Sequence, residues 1–338
     1  MRFLWLLLLV GCGGGDVDSK GGGPLVETIA PPLSVIFEKS QKALDEAGID
    51  TLRWGLTPYM APQELYASYQ PIAEVVGDKM GVEIELVMGE TYADLEGQVV
   101  RGEVDVAVVS PYSYVRAKKS APGLRVFASH VAKGSANYGS YIIVGEESEL
   151  ETLEDLRGKT FAFVDRRSTS GYLFPAIQML RMGVHPEDDI KAEFYQTHDR
   201  VFDAVVEGRV AAGATYDGAL RQGRDRRRDG RGVRVIAKAP RIPHEAYVIR
   251  QGLPVEVADA FGAALAGIST GTREGRALLA PMLRINGFIQ VEDSHYDAVR
   301  RVEAQAETAG LRMEAPSRPL PSEESGSEQG EANEEQTP

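Results

Sequence analysis

The residues best suited to chemistry form one run, Asp165-Arg166-Arg167-Ser168-Thr169-Ser170-Gly171-Tyr172, in which three adjacent side chains carry hydroxyls. It comes directly after the strand-like Thr160-Phe161-Ala162-Phe163-Val164 and opens a helical stretch from Ser170 to Met182. A helix start presents unpaired backbone N–H groups and about half a positive charge. Together with the hydroxyls, these groups can surround a tetrahedral oxyanion without a fixed cation. The same spacing fits a plain cap, in which Ser168 or Thr169 only satisfies the helix N-terminus. Both readings stay open on the run alone.

Other reactive-looking residues narrow the field. Gly267-Ile268-Ser269-Thr270-Gly271 matches the hydrolase nucleophile elbow, but that motif needs a strand before it and a helical pattern stands there instead, so no enzyme is expected. Five scattered histidines, none in a His-Glu-x-x-His arrangement, offer no metal site, and no cofactor is expected. Arg221 to Arg234 holds seven arginines. Interleaved aspartates and glycines suggest a solvated loop, with attraction to anionic substrate or lipid left open, and outside the cytoplasm no nucleic-acid partner is expected.

Cys12 is the only cysteine among 338 residues and follows Met1-Arg2, the apolar run Phe3 to Val10, and Gly11. That run falls short of the roughly 20 apolar residues that span a bilayer, yet fits a secretory signal. Leu9-Val10-Gly11-Cys12 resembles a bacterial lipobox, so residues 1–11 are expected to be removed and Cys12 acylated and held in a membrane. No thiol then remains for disulfides, zinc-cysteine sites or nucleophilic catalysis. Residues 12–32, rich in glycine, read as a flexible linker, and 33–50 as an amphipathic arm, docked or loose. The net charge of −13 is partly a tail effect: six glutamates and no lysine or arginine follow Arg318, so 316–338 should be disordered.

Positioning the hydroxyl run requires strands and helices in alternation. From Leu52 the pattern gives a strand, a helix over Tyr66 to Met80 ended by Gly81, a strand over Val82 to Met88, a helix over Tyr92 to Val100, an apolar strand at Val104 to Val109 and a helix from Pro111. The alternation repeats after residue 140, with strands at 160–164, 192–195, 210–215 and 233–237. Pro254 to Ile268, Arg273 to Leu283 and His295 to Ala306 then read as helices without strands between them. This predicts an α/β fold of two lobes, 51–140 plus 246–315 and 141–245, joined by crossing strands near Ser140 to Gly145 and Ala246 to Arg250. In open α/β sheets ligands sit beyond the carboxyl ends of strands, so the cleft is the default site.

Ser-Thr-Ser-Gly-Tyr-Leu-Phe-Pro, placed after a strand, resembles the phosphate-group motif of the phosphonate/phosphite/phosphate-binding proteins of ABC transporters. Collinear segments extend the resemblance from about Leu52 to about Ala306: Tyr69-Gln70-Pro71-Ile72, Thr91-Tyr92-Ala93-Asp94, Gly102-Glu103-Val104-Asp105-Val106-Ala107, Ser110-Pro111-Tyr112-Ser113-Tyr114, Tyr138-Gly139-Ser140-Tyr141, Thr197-His198-Asp199 and Ile242-Pro243-His244-Glu245. The resemblance implies a type II periplasmic-binding-protein fold with two hinge strands. It further implies that Ser168, Thr169 and Ser170 take the phosphoryl oxygens, joined by Tyr92, Tyr138 and His198, with Asp217 and Glu245 where aminophosphonate binders present carboxylates. Ala-Thr-Tyr216-Asp217-Gly218 and His244-Glu245 depart from the Asn-rich and Asn-Asp forms of 2-aminoethylphosphonate binders, which leaves the substituent open. The expected function is that of a monomeric, extracytoplasmic lipoprotein passing a small oxyanion to an ABC permease. The alternative is a sensory module of the same fold that signals to a membrane partner.

Overall fold

The structure, a computed structural model, describes residues 31–227, 231–239, 241–282 and 285–313. The expected signal segment, Cys12, most of the glycine linker and the acidic tail 316–338 lie outside the described residues.

Helix α1 (Leu33–Ala47) buries Ser40 and Leu44, and its Ile36 and Phe37 pack on the core of the body, so the arm is docked. Strand β1 (Thr51–Leu56) leads to α2 (Pro62–Met80), with proline at the first helical position, where its missing N–H costs nothing. Gly81, with φ of +68°, ends α2 through its N–H to the Gly77 carbonyl at 2.8 Å. Next come β2 (Glu83–Met88), α3 (Tyr92–Arg101), β3 (Val106–Val109), α4 (Pro111–Ser120) and β4 (Arg125–Ala132). The short β5 (Asn137–Tyr138) precedes β6 (Ser140–Gly145), and the second set runs β7 (Thr160–Phe163), α5 (Phe174–Arg181), β8 (Lys191–Phe194), α6 (His198–Val206), β9 (Ala212–Tyr216), α7 (Asp217–Arg226) and β10 (Val233–Lys238). The chain returns through β11 (Ile242–Pro243), β12 (Ala246–Ile249), α8 (Val255–Ala266), α9 (Arg273–Leu279), β13 (Ile285–Gln290) and α10 (Asp297–Thr308).

The first sheet has the order β13-β4-β12-β3-β1-β2 and the second β10-β6-β9-β7-β8. Parallel pairs (β1 with β2 and β3, β7 with β8 and β9) sit beside antiparallel strands supplied by the crossings. Trp54, fully buried in the first core, meets Tyr69 and Phe261 edge-on at 5.6 and 5.0 Å. Helix α10 packs on both α4 and α5.

Several readings are corrected. The helices after residue 254 are not consecutive: β13 lies between them, its short pattern interrupted by Asn286 and by Gly287, where the register shifts and φ reaches +156°. Strand β4 also went unread, because Ser129 and His130 break its apolar run. The crossings fall a few residues before the expected positions. Strands β6 and β12 are inner members of their sheets, and the paired β5 and β11 (Ile242 opposite Tyr138, Pro243 opposite Asn137) carry the chain across. The arginine-rich stretch is not one solvated loop. Arg221, Arg224 and Arg226 lie on α7 and Arg234 on β10, and Arg226 reaches Asp199 at 2.9 Å while Arg227 reaches Asp203 at 3.5 Å. Carboxylates along α6 draw these guanidiniums onto its surface.

Candidate functional site

The hydroxyl run leaves β7 and turns into a single π turn over Thr169–Leu173, closed by Leu173 N–H to the Ser168 carbonyl at 3.1 Å, before α5 begins. Such turns store a local irregularity that is common at functional sites. Gly171 is required by close approach, since a Cβ there would lie 2.6 Å from Val164 Cβ. Ser168 does cap, its Oγ accepting the Gly171 N–H at 3.0 Å, yet it also lines a cavity.

The N-terminus of α4 and the start of β6, a strand of the second sheet, close on this loop. The N-terminus of α4 donates the Tyr112 N–H to Thr169 Oγ1 at 2.9 Å, and Ser110 Oγ donates to the Arg167 carbonyl at 2.7 Å. From the crossing, Ser140 Oγ donates to the Ser170 carbonyl at 2.7 Å. Because Ser168 Oγ and Thr169 Oγ1 already accept backbone N–H groups, their own protons remain to be donated.

The chamber beneath is lined by Ser168, Thr169 and Ser170, by Tyr92, Tyr138, His198 and Glu245, and by Thr57, Tyr59, Ser110 and Tyr216. Seven of the eight side chains singled out as ligand contacts therefore meet in one space. Asp217 lies in a larger adjoining chamber, where its carboxylate takes Lys133 at 3.3 Å and Arg221 at 3.1 Å. Tyr59, Tyr138, Tyr216 and Glu245 face both chambers.

The electrostatics follow from burial. It raises the Tyr92 hydroxyl well above its ordinary value, helped by Asp165 and offset by Ser168, and does the same to Tyr138, with Glu245 adding and Ser170 offsetting. Both are neutral donors. Burial also lowers His198 to about 3, so its ring is neutral, with Nδ1 3.2 Å from Thr215 Oγ1 and its edge against Tyr216 at 4.7 Å. For Glu245 burial works toward protonation, but His244 and His130 outweigh it and hold the carboxyl at about 2. Among the described residues no lysine or arginine lines the smaller chamber.

Sequence reasoning missed several of these residues. Tyr59 follows the carboxyl end of β1, the position where α/β sheets place ligands, and that signal was available. The histidines are not scattered: His130, His244 and Glu245 cluster, with His130 Nε2 3.3 Å from Glu245 Oε2. Pairing of β12 with β4 brings them together, and no local spacing reports it.

The family model described as the periplasmic substrate-binding protein of ABC phosphonate transporters matches residues 54–296. A phosphate-import protein of Mycolicibacterium smegmatis is 27% identical over 292 residues, covering 78% of this chain and 88% of that one. A binding component of an ABC phosphonate transporter from Pseudomonas aeruginosa superposes with a TM-score of 0.70 at 21% identity, covering 79% of this chain and 90% of its own. A Prochlorococcus marinus protein solved with methylphosphonate also gives 0.70, at 18% identity, over 76% of this chain and 98% of its own.

Proposed function

The chain belongs to the periplasmic substrate-binding proteins of ABC phosphonate transporters and has their two-lobed type II α/β fold, and from that membership we propose that it carries a phosphonate, phosphite or phosphate to an ABC permease without making or breaking bonds. One observation carries the reading: the hydroxyls of Ser168, Thr169 and Ser170 line a chamber with two neutral tyrosines and a neutral histidine, and no fixed cation. Such a wall holds a tetrahedral oxyanion by oriented donors. Glu245 repels a dianion, so the cargo presents its oxygens to the serine wall and its other end toward Glu245.

The sheets, with their helices, act as lobes that bend at β5 and β11, and the cargo selects the closed form because Tyr92 and the Ser168-to-Ser170 loop come from opposite lobes. No helix among the described residues is long and apolar enough to cross a membrane. Acylation of Cys12 supplies the attachment, several acyl chains anchoring stably where one does not. The protein works as a monomer.

Isothermal titration of the purified chain with alkylphosphonates, phosphite, phosphate and sulfate, in phosphate-free buffer containing EDTA, tests this. Micromolar or tighter binding of one phosphorus oxyanion, with no response to sulfate, is the expected result. No binding by any of them removes the carrier reading.

A further inference from the structure

His130 on β4 and His244 and Glu245, in the turn between β11 and β12, meet on the wall of the larger chamber. His130 Nε2 stands 3.3 Å and His244 Nδ1 3.8 Å from Glu245 Oε2, and the imidazoles lie 4.3 Å apart, tilted by 38°. Both histidines are more than nine-tenths buried, at 6% and 7% exposure. Neither His130 Nδ1 nor His244 Nε2 has a hydrogen-bond partner among the described residues. Lys133 and Arg221 line the same chamber but bond to Asp217. The ion-pair geometry among the described residues sets the Glu245 carboxylate against the two imidazoles, an arrangement that burial makes costly.

We propose that His130, His244 and Glu245 form a binding site for a d-block dication, with zinc the best match to two imidazoles and one carboxylate. Bonds of about 2.0–2.1 Å in tetrahedral geometry put donor atoms roughly 3.3 Å apart. The His130–Glu245 edge has that length, the His244–Glu245 edge is 3.8 Å, and the three donor atoms all lie within 4.8 Å of one another. The donors are held ready: Tyr296 OH donates to the backbone carbonyls of His244 and Glu245 at 3.2 and 3.3 Å, and Tyr138 stacks on His244 at 5.1 Å. Three protein ligands leave a fourth position open toward the chamber, as in zinc sites that exchange a ligand. A bound ion converts the acidic end of the cleft into an electrophilic one.

The full-length chain carrying Cys12→Ser, so that no thiol competes, is titrated with Zn²⁺ by calorimetry and with Co²⁺ by visible absorption. One ion per chain, dissociation in the micromolar range or tighter, and the intense visible band of four-coordinate cobalt are expected. His244→Ala should weaken zinc binding by more than about a hundredfold, beyond what loss of a supporting partner costs. The near-isosteric Glu245→Gln gives a second reading if the histidine variant folds poorly. Absence of saturable binding below about 1 mM, or binding that survives unchanged in Glu245→Gln, overturns the site. The oxyanion titrations contain EDTA, so that result and this one fail separately.

Discussion

Replacing Ser170 with alanine isolates one donor of the proposed oxyanion wall. Ser168 and Thr169 each hold a backbone N–H, so their removal disturbs the scaffold as well as the chamber. The Ser170 hydroxyl has no such duty: its backbone carbonyl, not its side chain, receives Ser140, and the neighbour of its hydroxyl is Tyr138. Loss of one hydrogen bond to a charged group costs about 1.5–3 kcal/mol, which is roughly ten- to a hundredfold in dissociation constant. The fold should move by much less, since deleting one oxygen leaves only a small void and no orphaned backbone group. Calorimetric titration with the best phosphorus oxyanion, beside urea unfolding of the ligand-free protein, separates the two quantities. Affinity equal to the parent's, with the unfolding midpoint unchanged, would falsify the assignment of the Ser168-to-Ser170 wall.

Three further outcomes are expected. Thr169→Val should lower both affinity and stability, because it removes a donor and leaves the buried Tyr112 N–H without its acceptor, a loss of about 1–3 kcal/mol in urea unfolding; a variant that is weakened in affinity but not in stability contradicts the bridging role. Gly171→Ala should destabilise by about 1–3 kcal/mol through overpacking against Val164, and Val164→Ala in the same chain should restore part of the loss; failure of that rescue would assign the cost elsewhere. Glu187 titrates in acid: burial opposes its ionisation, but Arg312 and Arg166 prevail and hold it at about 2, against an ordinary 4.5. A depressed folded value means stability that is present above about pH 4.5 and lost as pH falls toward 2, so Glu187→Gln should flatten the stability profile in that window, and an unchanged slope refutes the assignment.

The α/β alternation was legible because parallel strands buried on both faces read as apolar runs, as Val106 to Val109 do, and because Gly81 and Gly102 end their helices in left-handed conformations that the sequence announces. The hydroxyl-rich loop was legible as a strand, a hydroxyl cluster and a helix start. Its π turn was not, since one extra residue in a turn leaves no periodic trace. Strand β13 was hidden by Asn286 and Gly287, and Arg226 and Arg227 were misread because their partners, Asp199 and Asp203, lie on another helix. The His130–His244 pair depends on strand pairing between distant segments, information carried by the fold and not by spacing.

The interleaving of the first sheet sets the order in which an emerging chain can fold. Strands of the second sheet come from one continuous stretch, β6 to β10, and can pair as soon as residue 238 is available. The first sheet cannot, because β12 inserts between β3 and β4, which have no contact as neighbours without it. Until residues 246–249 arrive, Val106 to Val109, buried in the finished protein, offers an open apolar edge to any other chain. The interval between synthesis of β3 and of β12 is therefore when this protein is most exposed to aggregation, and when a holding chaperone would matter most.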